Sequence, residues 1–135
     1  MERANKLITG LSDNIVRWNT DAANIGNLKL NLVGDVAKGC AFVSYCGPFN
    51  SEFRDRLIEE YFFKDLTERN IPCSKDLNLV KFLVDPAVAG QWALEGLPKD
   101  NLSIQNAIMV TKSSRYPLLI DPQGQASDWI KRREP

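Results

Sequence analysis

The sequence predicts a mainly α-helical chain with a small α/β part towards its C-terminal end. Three observations carry that expectation. Apolar residues recur at alternating spacings of four and three from residue 11 to residue 36. Further apolar stripes at helical spacing are bounded by cap residues, glycines and prolines. One segment, Tyr116-Pro117-Leu118-Leu119-Ile120, has the apolar run of a buried strand and passes through a tight turn into a last helix.

In chain order, residues 3 to about 46 form the first helix. Leu11, Trp18, Ile25 and Leu32 recur every seven residues; Ile15, Ala22 and Val36 occupy the companion position, interrupted by Lys29. That is the pattern of a coiled-coil seam, although one amphipathic helix packed into a core fits it as well. Gly26 and Gly39 are unfavourable in a long helix and mark places for a bend. Ala41-Phe42-Val43-Ser44-Tyr45-Cys46 is apolar nearly all round and is expected to be buried, and Gly47-Pro48 ends the helix. Asn50 or Ser51 caps the next helix, whose apolar face includes Phe53, Leu57, Tyr61 and Leu66; it stops near Arg69, before Ile71-Pro72. Leu79–Val84 is short and apolar, and its period leaves helix or strand open.

Asp85-Pro86 starts a helix that contains Trp92 and ends at Gly96. Residues 97–101 read as a loop, and Ser103 as the cap of a short helix over Ile104 to about Val110. The strand at 116–120 and a helix from Gly124 to Arg133 complete the chain. A lone strand cannot satisfy its backbone. Its neighbour is either Leu79–Val84 or a segment past Pro135, so the chain reads as a piece of something larger. The three tryptophans are expected as packing anchors. Arg54 and Arg115 are candidates for ion pairs across a boundary, and residues 131–134 read as a solvated helix end.

Composition narrows the function. The chain has 135 residues, enough for one ordinary domain, with 44% hydrophobic and 25% charged residues, as in a soluble globular protein. Lys+Arg and Asp+Glu both number 17, which offers no electrostatic footprint for nucleic acid or an anionic membrane, so neither is expected as a partner. No apolar run approaches the ~20 residues of a membrane span, and the N-terminus lacks the apolar core of a signal peptide. Cys40, Cys46 and Cys73 have no C-x-x-C spacing and read as reduced thiols of a cytosolic protein. Histidine is absent, so no zinc site, Ser-His-Asp triad or Cys-His pair is expected, and no catalytic residue can be assigned.

The turn after the strand has the framework of a phosphate-binding loop without its chemistry. The working pattern is G-x-x-x-x-G-K-[ST]. In the stretch Asp121-Pro122-Gln123-Gly124-Gln125-Ala126-Ser127-Asp128, Asp121 stands at the first glycine and Ala126 at the second. Ser127 then stands at the lysine and Asp128 at the hydroxyl residue. Two carboxylates and no cation occupy a region that should receive a polyanion. A nucleotide site here is expected to be degenerate, and no cofactor is expected.

Several collinear stretches resemble the dynein heavy chain, the AAA+ microtubule motor. They are residues 2–11, Arg17-Trp18, Gly34-Asp35-Val36, Gly47-Pro48-Phe49-Asn50-Ser51-Glu52-Phe53-Arg54, residues 95–106 and residues 115–126, with Trp129-Ile130-Lys131. Asn78-Leu79 and residues 102–106 resemble the outer-arm axonemal branch. The resemblance implies that residues 1–32 are the base of the returning helix of an antiparallel coiled-coil stalk. It makes residues 33–74 a helical connection to the fourth AAA+ module, and 75–135 the start of the fifth, whose phosphate loop is degenerate. It further implies a part of a minus-end-directed motor of cilia and flagella, located in the cytoskeleton of the axoneme. The partners would be the antiparallel stalk helix and adjacent modules, with the microtubule contacted only indirectly. This segment would relay movement between ring and stalk without catalysis of its own, ATP and Mg²⁺ belonging to other modules. The residues alone also allow a nucleotide-binding module, or a small adaptor that dimerises through the heptads.

Overall fold

The computed structural model describes residues 2–134, without the side chains of 2–9, 11–13 and 27. Its elements are helices: α1 (Glu2–Tyr45), α2 (Ser51–Arg56), a π-helical segment (Leu57–Phe62), α3 (Phe63–Glu68), α4 (Leu79–Leu83), α5 (Pro86–Leu94), α6 (Asn101–Lys112) and α7 (Gln125–Arg133). The last third of α1 packs on a small body made by the other helices. Phe42, Ile58, Trp92, Ile108 and Trp129 are fully buried at its centre. The described side chains of α1 before Gly34 take no part in that core.

Local chemistry explains most boundaries. Asn50 Oδ1 accepts from the Phe53 amide at 3.0 Å and opens α2. Asp85 Oδ1 accepts from the Ala87 amide at 2.7 Å, with Pro86 in the first turn of α5. Gly96, at φ 101°, closes α5: its amide and that of Leu97 bond back to Ala93 and Trp92. Asn70, at φ 56°, does the same after α3, its amide and that of Ile71 returning to Thr67 and Leu66.

Several expectations are corrected. Tyr116–Ile120 forms no regular element, and no strand forms among the described residues. Its candidate neighbour within the chain, Leu79–Val84, folds as α4 because Asn78 Oδ1 caps the Lys81 amide at 3.0 Å, so no ladder partner forms among the described residues. The helix expected to be capped by Ser103 starts three residues earlier, at Asn101, with Asp100 as its cap. Asp100 takes both the Ser103 amide, at 2.9 Å, and the Ser103 hydroxyl, at 2.7 Å, which draws Asn101 out of the expected loop. Of the stretch 41–46, Phe42 and Cys46 are buried while Tyr45 is exposed, because only one face of α1 meets the body. The middle of the helix between Asn50 and Arg69 is π-helical rather than α-helical.

Candidate functional site: a mounted helix and a self-capped turn

The seam residues of α1 lie along a free face. Ile15, Trp18, Ala22, Ile25 and Leu32 are exposed, as is Val36; the side chain of Leu11 lies outside the described residues. Burial of this stripe in the chain's own core, the other arrangement the pattern allows, is not what the structure has. Trp18 is 59% exposed and anchors no packing, unlike Trp92 and Trp129. At about 100° per residue, the stripe 25–29–32–36 is centred about 135° round the helix from the face carrying Gly34, Asp35, Lys38 and Phe42. The first face is open and the second is docked. The open face runs on into a cleft of about 660 Å³ whose walls include Val36, Gly39, Val43, Phe82, Lys112 and Arg115.

Two buried polar groups hold the docked face. Asp35 accepts from the amide and the hydroxyl of Ser74, both at 2.7 Å, and Lys38 Nζ donates to the Ser74 carbonyl at 2.8 Å. At the far end of the mount, Arg54 donates to the carbonyls of Cys46 and Gly47, at 3.0 and 3.2 Å. It also donates to Gln105 Oε1 at 3.1 Å and Asn106 Oδ1 at 2.7 Å, so it ties the end of α1 and α2 to α6. Among the described residues Arg54 bonds to neutral oxygens rather than to the expected acid. Burial pulls the Arg54 pKa below its ordinary value and pushes the Cys46 thiol up. Sequence reasoning missed Asp35, Lys38 and Ser74 as a unit. A buried Asp and Lys three residues apart on an otherwise apolar docked face was the available signal.

The phosphate-loop positions form a compact turn. The Gly124 amide bonds to the Asp121 carbonyl at 3.2 Å, Gly124 takes φ 72°, and Asp128 N bonds to the Gly124 carbonyl at 2.9 Å as α7 begins. Asp121 Oδ2 accepts from the Ser127 amide at 2.9 Å. That bond, with smaller contributions from the Ser127 hydroxyl and the Ala126 and Gln125 amides, holds the Asp121 carboxyl below the usual carboxylate range. The helix N-terminus, where a phosphate would bind, is occupied by the chain's own carboxylate. Pro122 and Gln123 form the exposed tip.

Helix α7 is fixed from its other side. Trp129 packs edge-on against Trp92, with ring centroids 5.9 Å apart, and its Nε1 donates to Glu95 Oε2 at 3.2 Å. Arg132 donates to the Glu95 carbonyl at 3.2 Å, and Arg133 lies 3.9 Å from the Glu95 carboxylate and over both indoles. The expected solvated helix end is thus partly a docking contact. No helix of the described residues is long and apolar enough to cross a membrane.

Comparison with known proteins gives this arrangement its family. Residues 1–66 match the family described as the microtubule-binding stalk of dynein motor, and residues 90–135 the one described as the ATP-binding dynein motor region. The chain is 50% identical over 97% of its length to the dynein gamma chain of the flagellar outer arm of Chlamydomonas reinhardtii. It is 49% identical over 99% of its length to dynein axonemal heavy chain 8 of Mus musculus. The chain is a dynein heavy-chain relative. It spans about 3% of the length of these relatives. The boundary between the two dynein matches falls within the body, and Arg54, in the stalk match, reaches across it to Gln105 and Asn106 in the motor-region match.

Proposed function

We propose that this chain is the part of an axonemal dynein heavy chain where a stalk helix joins the motor ring, and that it relays movement between them without handling nucleotide. One observation carries the reading: α1 is mounted on the body by one face and presents an apolar seam on the other. An exposed seam of this kind asks for a partner helix, and an antiparallel helix of the same heavy chain supplies it. Residues 1–32 are then the base of the stalk, 33–74 the connection to the fourth module, and 75–135 the opening of the fifth. The microtubule is reached only through the stalk tip, and the setting is the axoneme. The first match above, to an outer-arm chain, favours the outer-arm branch.

The polar interruption at Lys29 and the small Ala22 weaken the seam enough for a slide of about one turn, ~5.4 Å, between registers. Disulfide cross-linking between engineered cysteines on the two stalk helices, in an intact heavy chain carrying these residues, tests the relay. Different pairs should cross-link in different nucleotide states; one invariant register would reject it.

The absence of nucleotide handling rests on Asp121 filling the helix terminus and on the lack of any lysine in the turn. Titration calorimetry of the chain with ATP and Mg²⁺ is expected to give no binding heat up to millimolar ligand. A micromolar affinity would overturn that part of the reading while leaving the relay untouched.

A further inference from the structure

Loop 70–78 joins α3 to α4 and lies outside the two family matches, 1–66 and 90–135. It meets α1 closely. At Gly34 a side chain would overlap the Pro72 carbonyl and Cys73, so the helix and loop backbones are in contact there. Beside that contact, α1 takes hold of every polar group of Ser74. Asp35 accepts from the amide and the hydroxyl; Lys38 donates to the carbonyl. Asp35 is 3% exposed and Lys38 0%. The Lys38 ammonium also lies 5.3 Å from the centroid of the ring of Phe63, the first residue of α3, so the helix that leads into the loop shares the contact.

The grip is directional. A carboxylate and an ammonium one turn apart hold one residue, Ser74, by both its backbone donor and its backbone acceptor. Rotation or axial sliding of α1 against the loop would break all three bonds and strand two buried charges. We infer that loop 70–78 and α1 move as one body, through a clamp formed by Asp35, Lys38 and Ser74. A displacement of the loop is then carried into α1 and delivered at the seam, on another face of the same helix. This use of the clamp rests on the relay reading, but the coupling itself does not, and it can be measured without any motor.

The test is amide hydrogen exchange on the full chain, read by mass spectrometry in three segments: residues 32–41, residues 70–78 and α6. Ser74→Ala and Asp35→Asn should speed exchange in the first two segments together, by about tenfold, and leave α6 unchanged. Combining the two substitutions should add little beyond either alone, since both break one unit. Ser74→Thr, which keeps the hydroxyl, should restore protection in both segments. Faster exchange in the loop with α1 unchanged would overturn the inference, as would equal loss of protection in α6. Ser74→Ala keeps the backbone bonds of the clamp, so it serves as the milder variant if Asp35→Asn unfolds the chain. Failure of this coupling would leave the stalk cross-linking result unaffected, and the reverse also holds.

Discussion

Arg54 carries its charge to a position 3% exposed and, among the described residues, hydrogen-bonds to no carboxylate there. Four neutral oxygens replace one, and each belongs to an element that must be held: two at the end of α1, two on α6. Arg54→Met would leave those acceptors unpaired in a buried site, a loss expected at about 3 kcal/mol, read as a lower urea midpoint at unchanged slope. Arg54→Lys should rescue little, because one ammonium cannot span acceptors on two helices. A shift below about 1 kcal/mol for Arg54→Met would mean that the node is dispensable. Asp100 gives a pH signature. The Ser103 hydroxyl and amide hold its carboxyl below the ordinary value of 3.8. A group with a lower pKa in the folded chain contributes stability above its unfolded value and loses it as pH falls through the folded one. The melting temperature should therefore drop as pH is taken below 3.8. Asp100→Asn keeps the cap and should flatten that part of the profile; an unchanged slope would assign the acid loss elsewhere.

At the level of elements, punctuation was readable and partnership was not. Asn50, Asp85-Pro86, Gly96 and Gly47-Pro48 act through bonds within four residues of themselves, so the boundaries they predict are those observed. The seam of α1 could be read as a stripe, but whether it faces a core or solvent depends on residues far along the chain. The same holds for Tyr116–Ile120: a short continuous apolar run favours a buried strand, yet a strand exists only with a neighbour. The turn after it was legible as a terminus without a cation. The bond from Asp121 to the Ser127 amide, six residues away, is a matter of loop closure that spacing does not encode. The unpaired segment makes its own prediction. Leu118 is 90% exposed and Ile120 91%, so Leu118→Lys with Ile120→Lys should change the melting free energy by no more than about 0.5 kcal/mol. Light scattering on heating should fall, because an exposed apolar segment templates association. A loss above about 2 kcal/mol would show that the segment is packed.

For the whole molecule, the division is between a body that buries its polar anchors and a helix that leaves it after about Leu32. The two share one continuous helix, so their difference in stability comes from packing rather than propensity. A helix without tertiary cover opens locally at little cost, whereas the mounted part opens only with the body. Lys29 and Lys38 report the two regimes from the same helix, the first exposed and the second 0% exposed. Brief trypsin digestion of the chain should cut at Arg17 and Lys29 first, together with Arg115 in the open segment. Cleavage after Lys38 and Arg54 should be at least about tenfold slower, since both side chains are engaged in the mount and opening must come first. Asp35→Asn should close part of the gap between Lys29 and Lys38 while leaving Arg54 protected, because the second anchor does not depend on the first. Equal rates at Lys29 and Lys38 in the unaltered chain would mean that the mount is not formed, and would remove the fixed face on which a relay through α1 depends.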